Sequence, residues 1–188
     1  MANAGSWETT DVPLQAMSSR QWRRTLDGVL TTTFHSVREF LRIVARQRRG
    51  NLVLIGSTAA VFGEAGHADY AAAKAAVVYG LTRSLKNEMA RLAPHTKEYC
   101  GGRVNCLCPG WTVVPRLAAK LGQKAMVRKA TATMALPQFG RPEDIANAAV
   151  FLSSDSLARH ISGQILVIAG GMEGRQLWEP DEIDTRWV

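Results

Sequence analysis

Three residues of this 188-residue chain could carry proton chemistry together: Ser57, Tyr70 thirteen positions on, and Lys74 four after that. A free phenol titrates near pH ~10 and is a poor acid or base at neutrality. An ammonium one helical turn away favours the phenolate, and an opposite charge so placed lowers a pKa by about 1–3. The expected product is a phenol tuned toward working pH as a general acid/base, with Lys74 as its activator. A serine hydroxyl beside it can hold a carbonyl or an alcohol in line. One proton donor and one orienter suit hydride exchange with a planar nicotinamide.

Those side chains need a strand end and a helix start. Asn51-Leu52-Val53-Leu54-Ile55-Gly56 is a short apolar run rich in branched residues, and reads as a buried parallel strand. Ser57 then sits at its carboxyl end, where open α/β sheets bind ligands. From Tyr70 to about Leu92 the residues are good helix formers, so Tyr70 and Lys74 share a helix face. Upstream, Trp22, Leu26, Leu30, Phe34, Val37, Leu41 and Val44 recur at helical spacing, predicting one long helix over 20–48 that Ser18 or Ser19 caps. Gly28 is tolerated inside it at about 1 kcal/mol. Further on, Arg103 to Cys108 reads as a strand ending in Pro109-Gly110. Gly140 to Asp144 opens a helix ending near 153–155, and Gln164 to Ile168 is a last strand before Gly170-Gly171.

This order of elements, with Ser57, Tyr70 and Lys74 in place, resembles the short-chain dehydrogenase/reductase family over almost the whole chain. The resemblance implies an α/β fold: a partial Rossmann-like doubly wound parallel sheet, the C-terminal part of such a domain, with residues 1–188 forming one truncated domain. It implies NADP or NAD as cofactor and a small-molecule carbonyl or alcohol as substrate. Ser57, Tyr70 and Lys74 take the catalytic roles. Tyr70 and Lys74 also hold the cofactor, Pro109, Gly110, Trp111 and Thr112 lie along the nicotinamide, and Asn3 and Gly5 match the end of the family's Asn-Asn-Ala-Gly segment.

The resemblance also exposes departures. The family's cofactor pyrophosphate sits on a Gly-rich turn, and no Gly-x-x-x-Gly-x-Gly occurs here. At about 30 residues per βα unit, roughly 60–90 residues of a usual member are expected to be missing ahead of Asn3. The serine strand is then expected at a sheet edge. Val29 stands where the family carries an Asn of its proton relay, Val114 where a Thr is common, and Ala169 where an Asp precedes the last glycine pair. An impaired relay is expected, with a backbone carbonyl left to hold water. These departures favour the alternative reading, a catalytically impaired remnant or an interaction protein pairing through its exposed edge.

Composition bounds the rest. The chain is 46% hydrophobic and 21% charged, ordinary for one soluble domain. No apolar run reaches spanning length and no signal peptide opens the chain, so a cytoplasmic location away from membrane is expected. Cys100, Cys106 and Cys108 form no disulfide framework or metal pattern, and Cys106 and Cys108 should share one face of a strand as reduced core residues. His35, His67, His95 and His160 are scattered, without metal spacing, and His67 reads as a loop residue within possible reach of substrate. The net charge of +7 includes clusters at Arg20, Arg23 and Arg24 and at Arg46, Arg48 and Arg49. Without a nucleic-acid module or interleaved aromatics these read as solvated helix surface, so nucleic acid is not expected as a partner. A homodimer or homotetramer is implied by the family, packed through the two long helices. Leu117, Leu121, Met126, Val127, Met134 and Leu136 make 115–139 an apolar segment like the family's substrate lid, so an apolar substrate is expected.

Overall fold

A computed structural model of the chain describes residues 10–115, 124–183 and 186. Strands β1 (Asn51–Ile55), β2 (Arg103–Pro109) and β3 (Ile165–Ile168) form a parallel sheet in the order β1-β2-β3. Leu54 lies opposite Cys106, and Leu107 opposite Leu166. β1 is apolar at successive positions because both faces of the sheet are covered. Leu52 and Leu54 point with Val104, Cys106 and Cys108 into one layer, which Val37, Val44, Val78, Leu85 and Met89 of the long helices complete. Val53, Ile55 and Leu107 point into the other, against Ala149, Leu152 and Ala158. The alternation is the two-residue period of a strand.

The helices that flank the sheet are α1 (Ser19–Leu26), α2 (Thr32–Gln47), α3 (Thr58–Phe62), α4 (Ala68–Ala75), α5 (Thr82–Leu92), α6 (Lys124–Thr131) and α7 (Pro142–Ser153). The Ser18 hydroxyl caps α1 by accepting from the Gln21 amide at 3.1 Å. The continuous helices expected over 20–48 and from Tyr70 to Leu92 are each interrupted by a π turn, at Asp27–Thr31 and at Ala76–Leu81. Apolar periodicity cannot show this, because one extra residue per turn leaves both flanking stripes intact. A threonine hydroxyl reaches back five residues in each case: Thr32 Oγ1 to the Asp27 carbonyl at 3.0 Å, and Thr82 Oγ1 to the Val77 carbonyl at 2.9 Å. Bulges of this kind favour functional sites, and the first packs against α4.

Arg103 and Asn105, read from sequence as parts of a strand, tie β2 to the far side of the fold. Arg103 is 3% exposed and donates to the Leu152 carbonyl at 2.8 Å and the Ser154 carbonyl at 3.0 Å, closing the end of α7. Asn105 donates to the Ile161 carbonyl at 2.9 Å and accepts from the Gln164 amide at 3.0 Å, fixing the approach to β3. Asp155 faces Arg103 at 3.4 Å but is 45% exposed, so that ion pair adds little. Arg103→Met is therefore expected to destabilise the protein by about 2–4 kcal/mol, because two buried carbonyls lose a charged donor. Urea denaturation with an unchanged slope checks it.

Cys106 and Cys108 are buried, free thiols on one face of β2, as expected. Their side chains crowd Gly56, where a Cβ would lie 2.8 Å from Cys108 Sγ and 2.4 Å from Val78 Cγ2. The chain turns off β1 here with no room for a side chain. Among the described residues no helix is long and apolar enough to cross a membrane.

Candidate active site

Ser57, Tyr70 and Lys74 converge at the carboxyl end of β1. Ser57 leaves the strand in an extended conformation and caps α3, its hydroxyl accepting from the Ala59 amide at 3.1 Å. Tyr70 is in the first turn of α4, and its phenol shares a hydrogen bond with the Ser57 hydroxyl. Lys74 lies one turn on, its Nζ 5.8 Å from the centre of the Tyr70 ring. That amine is 6% exposed and donates to the Ile55 carbonyl at 2.8 Å, so the last residue of β1 positions it.

The electrostatics differ from the expectation of a phenol lowered by the lysine. Burial pushes the Tyr70 phenol above its ordinary value, the Ser57 hydrogen bond works against that shift, and the Glu64 carboxylate adds to it. Lys74 is not among the groups that lower it: its ammonium is spent on the Ile55 carbonyl, and burial pulls its own pKa below the usual lysine range. Below it, the hydrogen bond shared with Cys106, together with burial, holds the Cys108 thiol far above its usual range.

The helix carrying Tyr70 and Lys74 is set by a buried acid. Asp69, 1% exposed, accepts from the Tyr70 amide at 2.8 Å through Oδ1, and from Thr25 Oγ1 at 2.6 Å through Oδ2. A carboxylate on the amides of a helix start also meets the positive end of its dipole. His67 stands at the cap position of α4, buried to 5% exposure, with Nε2 3.0 Å from Asp11. It is thus a buried anchor rather than a loop residue.

Val29 occupies the first π turn at 0% exposure, and its carbonyl accepts from Thr33 Oγ1 at 2.7 Å. The carbonyl expected to hold water therefore already has a protein donor. On the other side of the rim, Pro109 ends β2 and Gly110 packs on Ala169, where a Cβ would come within 2.7 Å of the alanine's. Trp111 stacks on Phe139 with ring centroids 5.9 Å apart. Thr112 Oγ1 donates to the Gly110 carbonyl at 3.2 Å, and the Thr112 backbone bridges Gly140. The turn is thereby pinned at the same carboxyl rim as Tyr70. Asn3, Gly5, Leu117 and Leu121 lie outside the described residues.

Sequence reasoning missed Thr58, Glu64 and Arg175. Arg175 Nη2 lies 2.6 Å from Glu64 Oε2 and 3.1 Å from Thr58 Oγ1, next to Ser57. The signal available was positional: Arg175 follows a glycine pair at the carboxyl end of the last strand, the same rim of the sheet.

Residues 1–173 match a family model described as enoyl-(acyl carrier protein) reductase. The chain belongs to the short-chain dehydrogenase/reductase family. It is 31% identical over 170 residues to the 3-oxoacyl-[acyl-carrier-protein] reductase FabG of Thermotoga maritima, covering 90% of this chain and 63% of that protein. The FabG of Vibrio cholerae is 34% identical over 173 residues, with 90% and 64% covered. The chain thus spans a little under two thirds of the curated relatives it matches. Among solved structures, a short-chain dehydrogenase/reductase family oxidoreductase from Burkholderia thailandensis is 36% identical with a TM-score of 0.75, covering 90% of this chain and 62% of that one. A 4-hydroxyisoleucine dehydrogenase mutant complexed with NADH and succinate is 26% identical with a TM-score of 0.81, covering 93% and 68%. The α/β architecture and parallel sheet expected from the sequence are those of this family.

The donor set of the site suits the reacting half of a nicotinamide dinucleotide. It offers a phenol and a hydroxyl in contact, an ammonium one turn away, and a pinned Pro-Gly turn on the same rim. For the pyrophosphate half, the sequence offers no Gly-rich turn of the family's pattern.

Proposed function

We propose that this protein acts as an NAD(P)-dependent oxidoreductase that interconverts a carbonyl and an alcohol on a small molecule. The observation that carries the reading is the hydrogen bond between the Tyr70 phenol and the Ser57 hydroxyl, with Lys74 on the same helix face. Bound, the cofactor would supply or accept the hydride. Ser57 orients the substrate oxygen toward Tyr70, and Tyr70 gives that oxygen a proton in reduction and takes it back in oxidation. Lys74, held by the Ile55 carbonyl, supplies positive charge beside the ring and fixes where the cofactor ribose would meet α4. Pro109, Gly110, Trp111 and Thr112 would line the nicotinamide, and Asn3 and Gly5 would complete the cofactor side.

The test is titration of the full chain with NADPH and with NADH, followed by fluorescence, then turnover on a panel of ketones. Saturable binding with turnover is expected. A protein that binds neither dinucleotide overturns the reading. A second reading, a non-catalytic protein that pairs through its sheet edge, is favoured by the outer edge of β1, which has no partner strand among the described residues. A discrete oligomer that binds no dinucleotide is the result it requires. A catalytic homodimer or homotetramer would instead bind the dinucleotide in the same titration.

A further inference from the structure

The wall of the site beyond Ser57 is charged, although the lid segment predicted an apolar pocket. Arg175 spans it with most of its donors already engaged. Nε donates to the Gly63 carbonyl at 3.5 Å, Nη1 approaches Met172 Sδ at 3.3 Å, and Nη2 serves Thr58 Oγ1 and Glu64 Oε2. A guanidinium so occupied is a poor anchor for a substrate anion. Its partner is different. Glu64 is half-buried, with a side chain 20% exposed, and the ion pair uses Oε2. Its Oε1 accepts no hydrogen bond from a described residue and is not fully buried. The carboxylate is held on the Tyr70 side of the loop, close enough for its charge to oppose ionisation of the phenol.

We infer that Glu64 determines substrate specificity, its free carboxylate oxygen accepting a hydrogen bond from a substrate hydroxyl borne next to the reacting carbon. Arg175 is the positioning residue: it fixes the Glu64 carboxylate against the Thr58 hydroxyl and leaves one oxygen facing the site. The substrate class is hydroxylated ketones and their alcohols in place of plain aliphatic ones. The chemistry favours a neutral hydroxyl donor because the wall already holds a matched charge pair. This inference rests on the oxidoreductase reading, which supplies the reacting carbon. A site that hydrogen-bonds a substrate hydroxyl discriminates strongly against the analogue lacking it, since the site's acceptor is then left unpaired. Partial exposure of Glu64 tempers that to about 10–100-fold here.

The experiment compares 1-hydroxy-2-butanone with 3-pentanone, which differ by a hydroxyl against a methyl, on the full chain with NADP or NAD present. Affinity is read by ligand-detected NMR and turnover by cofactor absorbance. Binding of the hydroxyketone is expected to be at least about tenfold tighter. Glu64→Met should bring the ratio to within about threefold of unity, and Glu64→Gln, which keeps an acceptor oxygen, should recover part of it. Equal affinities in the unaltered protein, or a preference that survives Glu64→Met, overturn the inference. The unaltered protein alone can sink it, so a poorly folding variant does not shield it. Failure of both ketones to turn over counts against the oxidoreductase reading, and the binding ratio still decides the role of Glu64.

Discussion

Tyr70→Phe is expected to lower kcat for carbonyl reduction by about 10²–10⁴, the range a positioned acid contributes. The substitution deletes one oxygen, the one that meets Ser57, and leaves the ring against Lys74. Steady-state rates on any ketone the protein accepts will show it, with KM moving far less than kcat. Activity within about threefold of the unaltered protein would remove Tyr70 from the mechanism. The pH profile carries the same assignment. Reduction needs the protonated phenol, and burial raises its pKa above the ordinary tyrosine value. The reduction rate should therefore stay level from neutral into alkaline conditions and fall only as pH rises through that raised value. Alcohol oxidation needs the phenolate, so its rate should climb with pH over the same range.

Asp69→Ala is expected to cost about 3 kcal/mol of stability. A buried carboxylate accepting from the Tyr70 amide and from Thr25 Oγ1 at 2.6 Å holds α4 to α1. Its removal strands a buried hydroxyl and a helix-start amide, and hydrogen bonds to a charged group are worth about 1.5–3 kcal/mol each. Asp69→Asn keeps an acceptor oxygen and should cost roughly half as much. Urea midpoints with equal slopes check both. A loss below about 0.5 kcal/mol for the alanine would mean that water replaces the carboxylate.

The elements with the clearest periodicity were the most legible. The apolar run at Leu52 to Ile55 and the alternation through Cys106 and Cys108 placed two strands that the structure builds as read. Ser57, Tyr70 and Lys74 could be found because a rim position and a helical spacing act locally. What stayed hidden acts across the chain. Arg175 reaches Thr58 and Glu64 from beyond the last strand, and no spacing rule links them. Asp69 looked like one more helix residue, since its worth comes from Thr25 on another helix. The tuning of Tyr70 was misread for a related reason. The spacing placed the lysine correctly, but the direction of its amine is set by the Ile55 carbonyl, and the burial that dominates the phenol is a property of the packed fold.

The two π turns have a consequence for how this chain tolerates change in length. Each adds a residue beyond the regular spiral, and one residue turns a helix by about 100°. Deleting Gly28 would let Asp27–Thr31 wind as an ordinary helix, and the angular phase of everything downstream would swing by that amount. Val37 and Val44, now 4% and 1% exposed, would rotate away from β1 and charged neighbours would take their place. A loss at Gly80 would do the same to Leu85 and Met89. These two glycines have open space around them and would pass as dispensable by contact alone. They act as phase shims: exchange for another amino acid should be cheap, while excision should be ruinous.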